Sequence, residues 1–124
     1  MLGQRLLDGN ADIAEAWNFG PDREGNRQVK QVLVALQANW SSVKWNCSDA
    51  PQLNEAQLLH LDSGKAREKL SWRPVWSFDE GVAATAEWYQ AWLDRRDVVS
   101  QEQLNRYIKQ AKERGISWAV NVQA

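Results

Sequence analysis

Residues able to carry catalytic or ligand chemistry are few in this 124-residue chain. It has one cysteine, Cys47, and one histidine, His60, and neither stands beside a residue that would orient it as a nucleophile or a base. One cysteine cannot form an intramolecular disulfide, and together with one histidine it cannot supply the side chains of a structural zinc site. We therefore expect no catalytic residue and no metal site.

The spacing of the glycines predicts no phosphate-binding loop. The seven glycines do not match G-x-G-x-x-G, the spacing that lets backbone approach a dinucleotide, and there is no Walker loop. Residues 41–44, S-S-V-K, match S-x-x-K without the motifs that normally accompany it. The adjacent carboxylates of Asp79 and Glu80 are typical of the first turn of a helix. The residues alone predict no cofactor site in this chain.

Tryptophan is the unusual residue, with eight copies. Its side chain fills a core, and it also offers a flat face on which sugars or bases can stack. We interpret most of the tryptophans as core or half-buried packing residues. A stacking role for some of them remains an alternative.

Apolar residues spaced by three and four predict the helices that must position these side chains. The predicted helices cover residues 2–7, residues 28–40 and residues 65–70, followed by two longer ones that begin after Ser77 and near Ser100. Each of these serines opens a capping box, with Glu80 and Gln103 as the fourth residues. On the first of the longer helices, the predicted buried stripe consists of Phe78, Val82, Thr85, Ala86, Tyr89 and Leu93.

Three short runs predict strands, at residues 16–19, 42–45 and 58–61. With the helices they predict an α/β fold with a few short strands and three to four helices. The length fits a single domain, which we place at residues 1–115. Residues 116–124 have little pattern, and we expect a loosely ordered tail there.

Composition excludes several classes of protein. Fifteen basic and sixteen acidic residues give a net charge of −1, without the basic surplus that nucleic-acid binding needs. No run of 18 apolar residues and no signal peptide is present, so we expect no membrane insertion. A lone cysteine suits a reducing compartment, and we expect a cytoplasmic location.

Three motifs in one order carry a family resemblance. They are D-S-G-K-A at residues 62–66, L-S-W-R-P-V-W at residues 70–76 and T-A-E-W-Y-Q-A-W at residues 85–92, preceded by A-W-N-F-G-P at residues 16–21. Together they resemble the closing segment of the extended short-chain dehydrogenase/reductases, and within that superfamily the CDP-glucose 4,6-dehydratases. The resemblance covers roughly residues 1–107. It implies a small C-terminal substrate-binding domain without its Rossmann domain.

Departures from the family pattern affect the expected site. Ser71 replaces a glycine, Asn54 stands where a histidine is expected, and His60 stands where a lysine is common. The Tyr-x-x-x-Lys pair of the family has no counterpart, because neither Tyr89 nor Tyr107 is followed by a lysine four residues later. In relatives the stretch before the helix that corresponds to D-S-G-K-A lies along the nucleotide, so the resemblance implies Asn54 and Glu55 as substrate-binding residues.

The resemblance therefore implies a truncated, nucleotide-sugar-binding portion of such a dehydratase that is inactive alone. The family uses NAD, and we expect no cofactor in this chain. A CDP-sugar is the expected ligand, and exposed apolar side chains such as Leu2, Leu6 and Leu7 are expected to drive self-association or binding to another chain. The alternative is a non-catalytic, tryptophan-rich module that binds a sugar, a nucleotide or a protein.

Overall fold

The computed structural model describes residues 1–21, 27–47 and 61–120. Within these ranges no helix is long and apolar enough to cross a membrane. A short 3-10 turn occupies Ala11–Ile13. The α-helices in chain order are α1 (Leu2–Leu7), α2 (Val29–Asn39), α3 (Gly64–Leu70), α4 (Phe78–Arg95), α5 (Ser100–Glu113) and α6 (Ser117–Val120).

The predicted α/β class is wrong, because the described part of the chain contains helices and no strand. A strand needs a neighbouring strand to pair with its backbone N–H and C=O groups. At residues 42–45 the backbone is used locally instead: Val43 N–H donates to the carbonyl of Trp40 at 3.0 Å, and the Val43 carbonyl accepts from Gln37 Nε2 at 2.9 Å. Residues 16–19 lie along α3 and pair with no strand among the described residues. Residues 58–60 of the third predicted strand lie outside the described residues.

The N-terminus of α4 confirms its predicted capping box. Glu80 N–H donates to Ser77 Oγ at 3.2 Å, and Ser77 N–H donates to a carboxylate oxygen of Glu80 at 2.7 Å. The predicted box at α5 is wrong, since Val99 is the N-cap and no side chain caps the helix. Ser100 Oγ accepts a hydrogen bond from Trp88 Nε1 at 2.9 Å, and this tertiary contact replaces the capping role.

Helix α4 packs against α2 and buries small residues. Its buried positions are Ala84, Ala86 and Ala91. The predicted stripe is therefore confirmed at Ala86 and wrong for Thr85, Tyr89 and Leu93, which are exposed. The prediction assumed a sheet for large side chains to cover. Because α4 packs against α2 through small residues, the large side chains of Tyr89 and Leu93 stay exposed.

A small core forms where α5 and α6 meet the segment before α4. Its buried residues are Val75, Ala111 and Ala119, and Trp76, Tyr107, Ile116 and Trp118 pack around them. The ring of Tyr107 lies edge-on to Trp76 at 5.0 Å between ring centres and is stacked on Trp118 at 6.0 Å. Residues 117–120, within the expected loose tail, thus form a helical turn with buried Ala119, while residues 121–124 lie outside the described residues.

Candidate functional site

A cleft of about 520 Å³ runs between α4 and α5. Its volume falls in the range of about 300–1,000 Å³ that is usual for small-molecule sites. The end of α2 closes one side through Asn39, whose carbonyl accepts from Gln90 Nε2 at 3.0 Å. The residues that line it include Trp76, Glu80, Ala84, Glu87, Asp94 and Arg106.

Helix α4 sets the charge of the cleft by placing Glu80, Glu87 and Asp94 at intervals of about two turns, and therefore on one face. Helix α5 supplies the opposing cations. Arg106 forms an ion pair with Glu87, and Gln103 Nε2 donates to the same carboxylate at 3.2 Å and to the Ala84 carbonyl at 2.7 Å. These bonds hold the walls in a fixed relation.

A second brace joins Glu80 on α4 to Arg114 at the C-terminal end of α5, and Arg114 also donates to the carbonyl of Val75. Hydrogen bonding from Arg114, followed by that from the Ser77 backbone, lowers the pKa of Glu80 from 4.5 to about 2. Arg106 likewise lowers the pKa of Glu87. Both carboxylates are ionised near neutral pH and cannot act there as general acids. Their arrangement suits hydrogen bonding to a ligand.

Apolar surface completes the cleft. Ala83, Ala84 and Ala91 line the cleft along α4, and the Trp76 indole donates through Nε1 to Gln110 Oε1. The cleft therefore combines fixed anionic groups, guanidinium and amide donors, and an aromatic wall.

A second groove of about 460 Å³ lies nearby on α4 and is lined by aromatic residues. Trp76, Trp88 and Tyr89 form its sides, with Thr85 and Gln103 as polar neighbours. The Trp88 ring is stacked on Trp92 at 6.3 Å between ring centres. This groove offers flat aromatic faces of the kind that the alternative interpretation of the tryptophans, as stacking residues, requires.

Comparison with known proteins shows sequence similarity to sugar-nucleotide dehydratases. The chain is 29% identical over 111 residues to the CDP-glucose 4,6-dehydratase of Salmonella typhimurium, which covers 87% of this chain and 31% of that enzyme. The predicted resemblance to a C-terminal portion of an extended short-chain dehydrogenase/reductase is confirmed.

Two dTDP-glucose 4,6-dehydratases of Xanthomonas campestris pv. campestris are 26% identical over 96 residues, covering 65% of this chain and 26% of each enzyme. The chain thus spans about a third, or less, of the length of the curated dehydratases that it matches. No protein-family model matches it. No solved structure matches it.

The segments that carry the dehydratase resemblance meet in space. Lys65, from D-S-G-K-A, forms an ion pair with Glu15 and donates to the carbonyl of Ala16 at 2.9 Å. The ring of Phe19, from A-W-N-F-G-P, lies edge-on to Trp72 at 5.1 Å between ring centres. Residues of the dehydratase-like motifs therefore hold α3 and the segment that follows it against residues 15–19.

The motif T-A-E-W-Y-Q-A-W lies on α4 and contributes to both concave surfaces. Glu87 and Ala91 line the cleft, while Trp88 and Tyr89 line the aromatic groove. The acidic face of the cleft had a signal in the sequence, because Glu80, Glu87 and Asp94 recur at intervals of about two helical turns. Their arginine partners had no recognisable spacing.

The predicted substrate-binding residues Asn54 and Glu55 lie outside the described residues, as does His60. Cys47 is exposed and forms no disulfide. The residues that the structure describes contain no group of three or more side chains able to hold a metal ion.

Proposed function

We propose that this chain is the nucleotide-sugar-binding portion of a protein similar to CDP-glucose 4,6-dehydratase and does not catalyse the dehydration by itself. One observation carries the proposal: 87% of the chain matches only 31% of a CDP-glucose 4,6-dehydratase. The sequence also lacks both the glycine loop that a dinucleotide needs and a Tyr-x-x-x-Lys pair.

The cleft between α4 and α5 supports a sugar-binding role for its own residues. Sugar hydroxyls both donate and accept hydrogen bonds, and the cleft offers carboxylate acceptors at Glu87 and Asp94 with guanidinium and amide donors at Arg106 and Gln90. Trp76 offers an aromatic surface. Because ion pairs already hold Glu87 and Arg106, binding need not order them further.

In this proposal, NAD and the groups that carry out the reaction belong to a part of the dehydratase that this sequence does not include. NAD would supply hydride transfer at the sugar. The described residues would hold and orient a CDP-sugar, and Asn54 and Glu55 remain proposed contacts to it. We also propose a cytoplasmic location, in which the exposed Cys47 thiol stays reduced.

Titration of the chain with CDP-glucose, dTDP-glucose and NAD, followed by amide shifts, tests the proposal. We expect saturable shifts with CDP-glucose, none with NAD, and no 4-keto-6-deoxy product in a coupled assay. Arg106→Gln should weaken CDP-glucose binding, whereas Lys109→Gln, which removes an equal charge from the exposed side of α5, should not. Product formed by the chain alone would contradict the inactive role, and no binding at millimolar CDP-glucose would contradict the binding role.

A protein-interaction role is the second candidate, because α4 exposes Tyr89, Trp92 and Leu93 on one side. We call these three residues the α4 apolar patch. Large apolar side chains that share one surface often mark a protein interface. Binding to a second copy, or to a chain that carries the rest of a dehydratase, would cover the patch without requiring a nucleotide sugar. Concentration-dependent sedimentation of the chain with and without CDP-glucose distinguishes the two roles.

A further inference from the structure

Helix α3 ends at a residue with strained backbone. Ser71 has φ 53° and ψ 30°, in the left-handed region that glycine adopts without strain. The backbone N–H of Trp72 donates to the carbonyl of Ala66 at 3.2 Å and closes the helix end. The left-handed conformation of Ser71 thus belongs to the end of α3, where glycine or asparagine is the usual residue.

Ser71 lines a polar concavity of about 390 Å³ together with Arg67, Arg73 and Pro74. We call it the Arg73 pocket. Arg73 forms no ion pair among the residues that the structure describes. Pro74 restricts the preceding backbone to extended conformations, so the residues on both sides of Trp72 are held in place. The packing of the Trp72 ring against Phe19 fixes the middle of this segment.

The charge of the Arg73 pocket is positive despite the adjacent end of α3. A helix C-terminus carries the equivalent of about −0.5 charge, and less for a short helix, whereas the guanidinium group of Arg73 alone carries +1. Arg67 is oriented by a hydrogen bond from its Nε to Ser63 Oγ at 3.2 Å. Arg67 also lines the pocket.

We propose that the Arg73 pocket binds a phosphate group. Arg73 donates to the phosphate oxygens through its planar guanidinium, Arg67 adds a second positive charge, and Ser71 Oγ donates a further hydrogen bond. Arginine suits this role because its donors match the spacing of phosphate oxygens. The strain at Ser71 is then the cost of having a hydroxyl where glycine would be conformationally easier.

The phosphate has two possible sources, free phosphate or the diphosphate of a nucleotide sugar. The pocket is separate from the cleft between α4 and α5, since the two share no lining residue. The proposal rests on the geometry of the Arg73 pocket and does not require the proposed function. Binding of inorganic phosphate and of CDP are accordingly measured separately.

Titration of the whole chain with inorganic phosphate, CDP and cytidine, followed by amide and arginine Nε–H shifts, tests this inference. We expect saturable shifts at Ser71 to Arg73 with phosphate and with CDP, and none there with cytidine. Arg73→Gln should weaken phosphate binding about tenfold, because a hydrogen bond to a charged group is lost. Lys44→Gln removes an equal charge from an exposed position outside the pocket and should leave the affinity unchanged.

Ser71→Gly separates ligand binding from folding. The variant should raise the thermal midpoint by removing the strain, while it weakens phosphate binding by removing the hydroxyl. Unchanged phosphate affinity in Arg73→Gln, or shifts that avoid residues 71–73, would overturn the proposal. If phosphate binds there but CDP-glucose binds nowhere, the proposed function fails and the Arg73 pocket stands. If CDP-glucose binds but phosphate does not bind at residues 71–73, the proposed function stands and the proposal for the Arg73 pocket fails.

Discussion

The ammonium group of Lys65 lies 4.5 Å from the centre of the Trp17 indole ring. The same ammonium pairs with Glu15 and donates to the carbonyl of Ala16. One side chain on α3 thus makes three kinds of contact with a segment that has no regular secondary structure of its own. This contact lets the residues before α2 keep a defined position beside α3.

Replacing Lys65 by methionine should loosen this segment while keeping most of the aliphatic side chain. We expect a loss of about 1–2 kcal/mol in the free energy of unfolding, from the cation–π contact and an exposed ion pair together. Urea denaturation followed by tryptophan fluorescence measures it. Lys69→Met is the matched control, because Lys69 approaches Glu15 only at 3.7 Å and contacts no aromatic ring in the described part of the chain. Equal losses in the two variants would show that the Trp17 contact contributes nothing.

Two leucines with different burial test which side chains form the core. Leu70 is 1% exposed and Leu93 is 52% exposed. Leu70→Ala should cost about 2–5 kcal/mol in unfolding free energy, whereas Leu93→Ala should change it by about 0.5 kcal/mol or less. Equilibrium denaturation of both variants gives the comparison. A larger loss for Leu93 would mean that the predicted stripe on α4 packs against another surface in solution.

Local signals in the sequence predicted most of the helical structure. The apolar spacing of residues 2–7 and the Ser77–Glu80 box act over three or four residues, and the structure has a helix at each place. The strands failed because a strand depends on backbone partners elsewhere, which four alternating residues cannot reveal. The secondary structure of short alternating runs such as residues 42–45 cannot be decided from the sequence for this reason.

The candidate site was less predictable than the helices. Glu87 belongs to a recognisable motif, but its partner Arg106 lies on the next helix, and no local pattern indicates that they meet. Ser100 shows the opposite difficulty. It had the local signal of a cap, yet the structure uses its hydroxyl to accept from Trp88.

Acid should weaken the brace between Glu80 and Arg114. Glu80 has a pKa of about 2 in the fold, below its ordinary value of 4.5, so its stabilising effect is full above about 4.5 and disappears as the pH falls through about 2. Glu80→Gln should therefore be less stable than the parent at pH 6 and nearly equal to it at pH 2. Thermal midpoints across this range test the prediction, with Glu68→Gln as a control for loss of one exposed carboxylate. A difference that persists at pH 2 would point to lost capping geometry as the cause.

The α4 apolar patch predicts association through α4. Leu93→Lys places a charge beside Trp92, which is 37% exposed, and should shift the chain towards monomer in sedimentation velocity at high concentration. Leu7→Lys tests the other exposed leucine surface, since Leu7 is 85% exposed. A parent chain that stays monomeric at high concentration, with no binding of an apolar dye, would contradict the interaction role.

Six of the eight buried apolar residues in the described part of the chain are alanines, with Leu70 and Val75 as the exceptions. Alanine removes little apolar surface from water, and exposure of apolar surface is what raises the heat capacity on unfolding. The heat-capacity change should therefore fall below the usual value of about 12–15 cal/mol/K per residue. A small heat-capacity change flattens the dependence of stability on temperature. The chain should then vary less in stability between cold and warm conditions than a domain of equal length with a leucine-rich core.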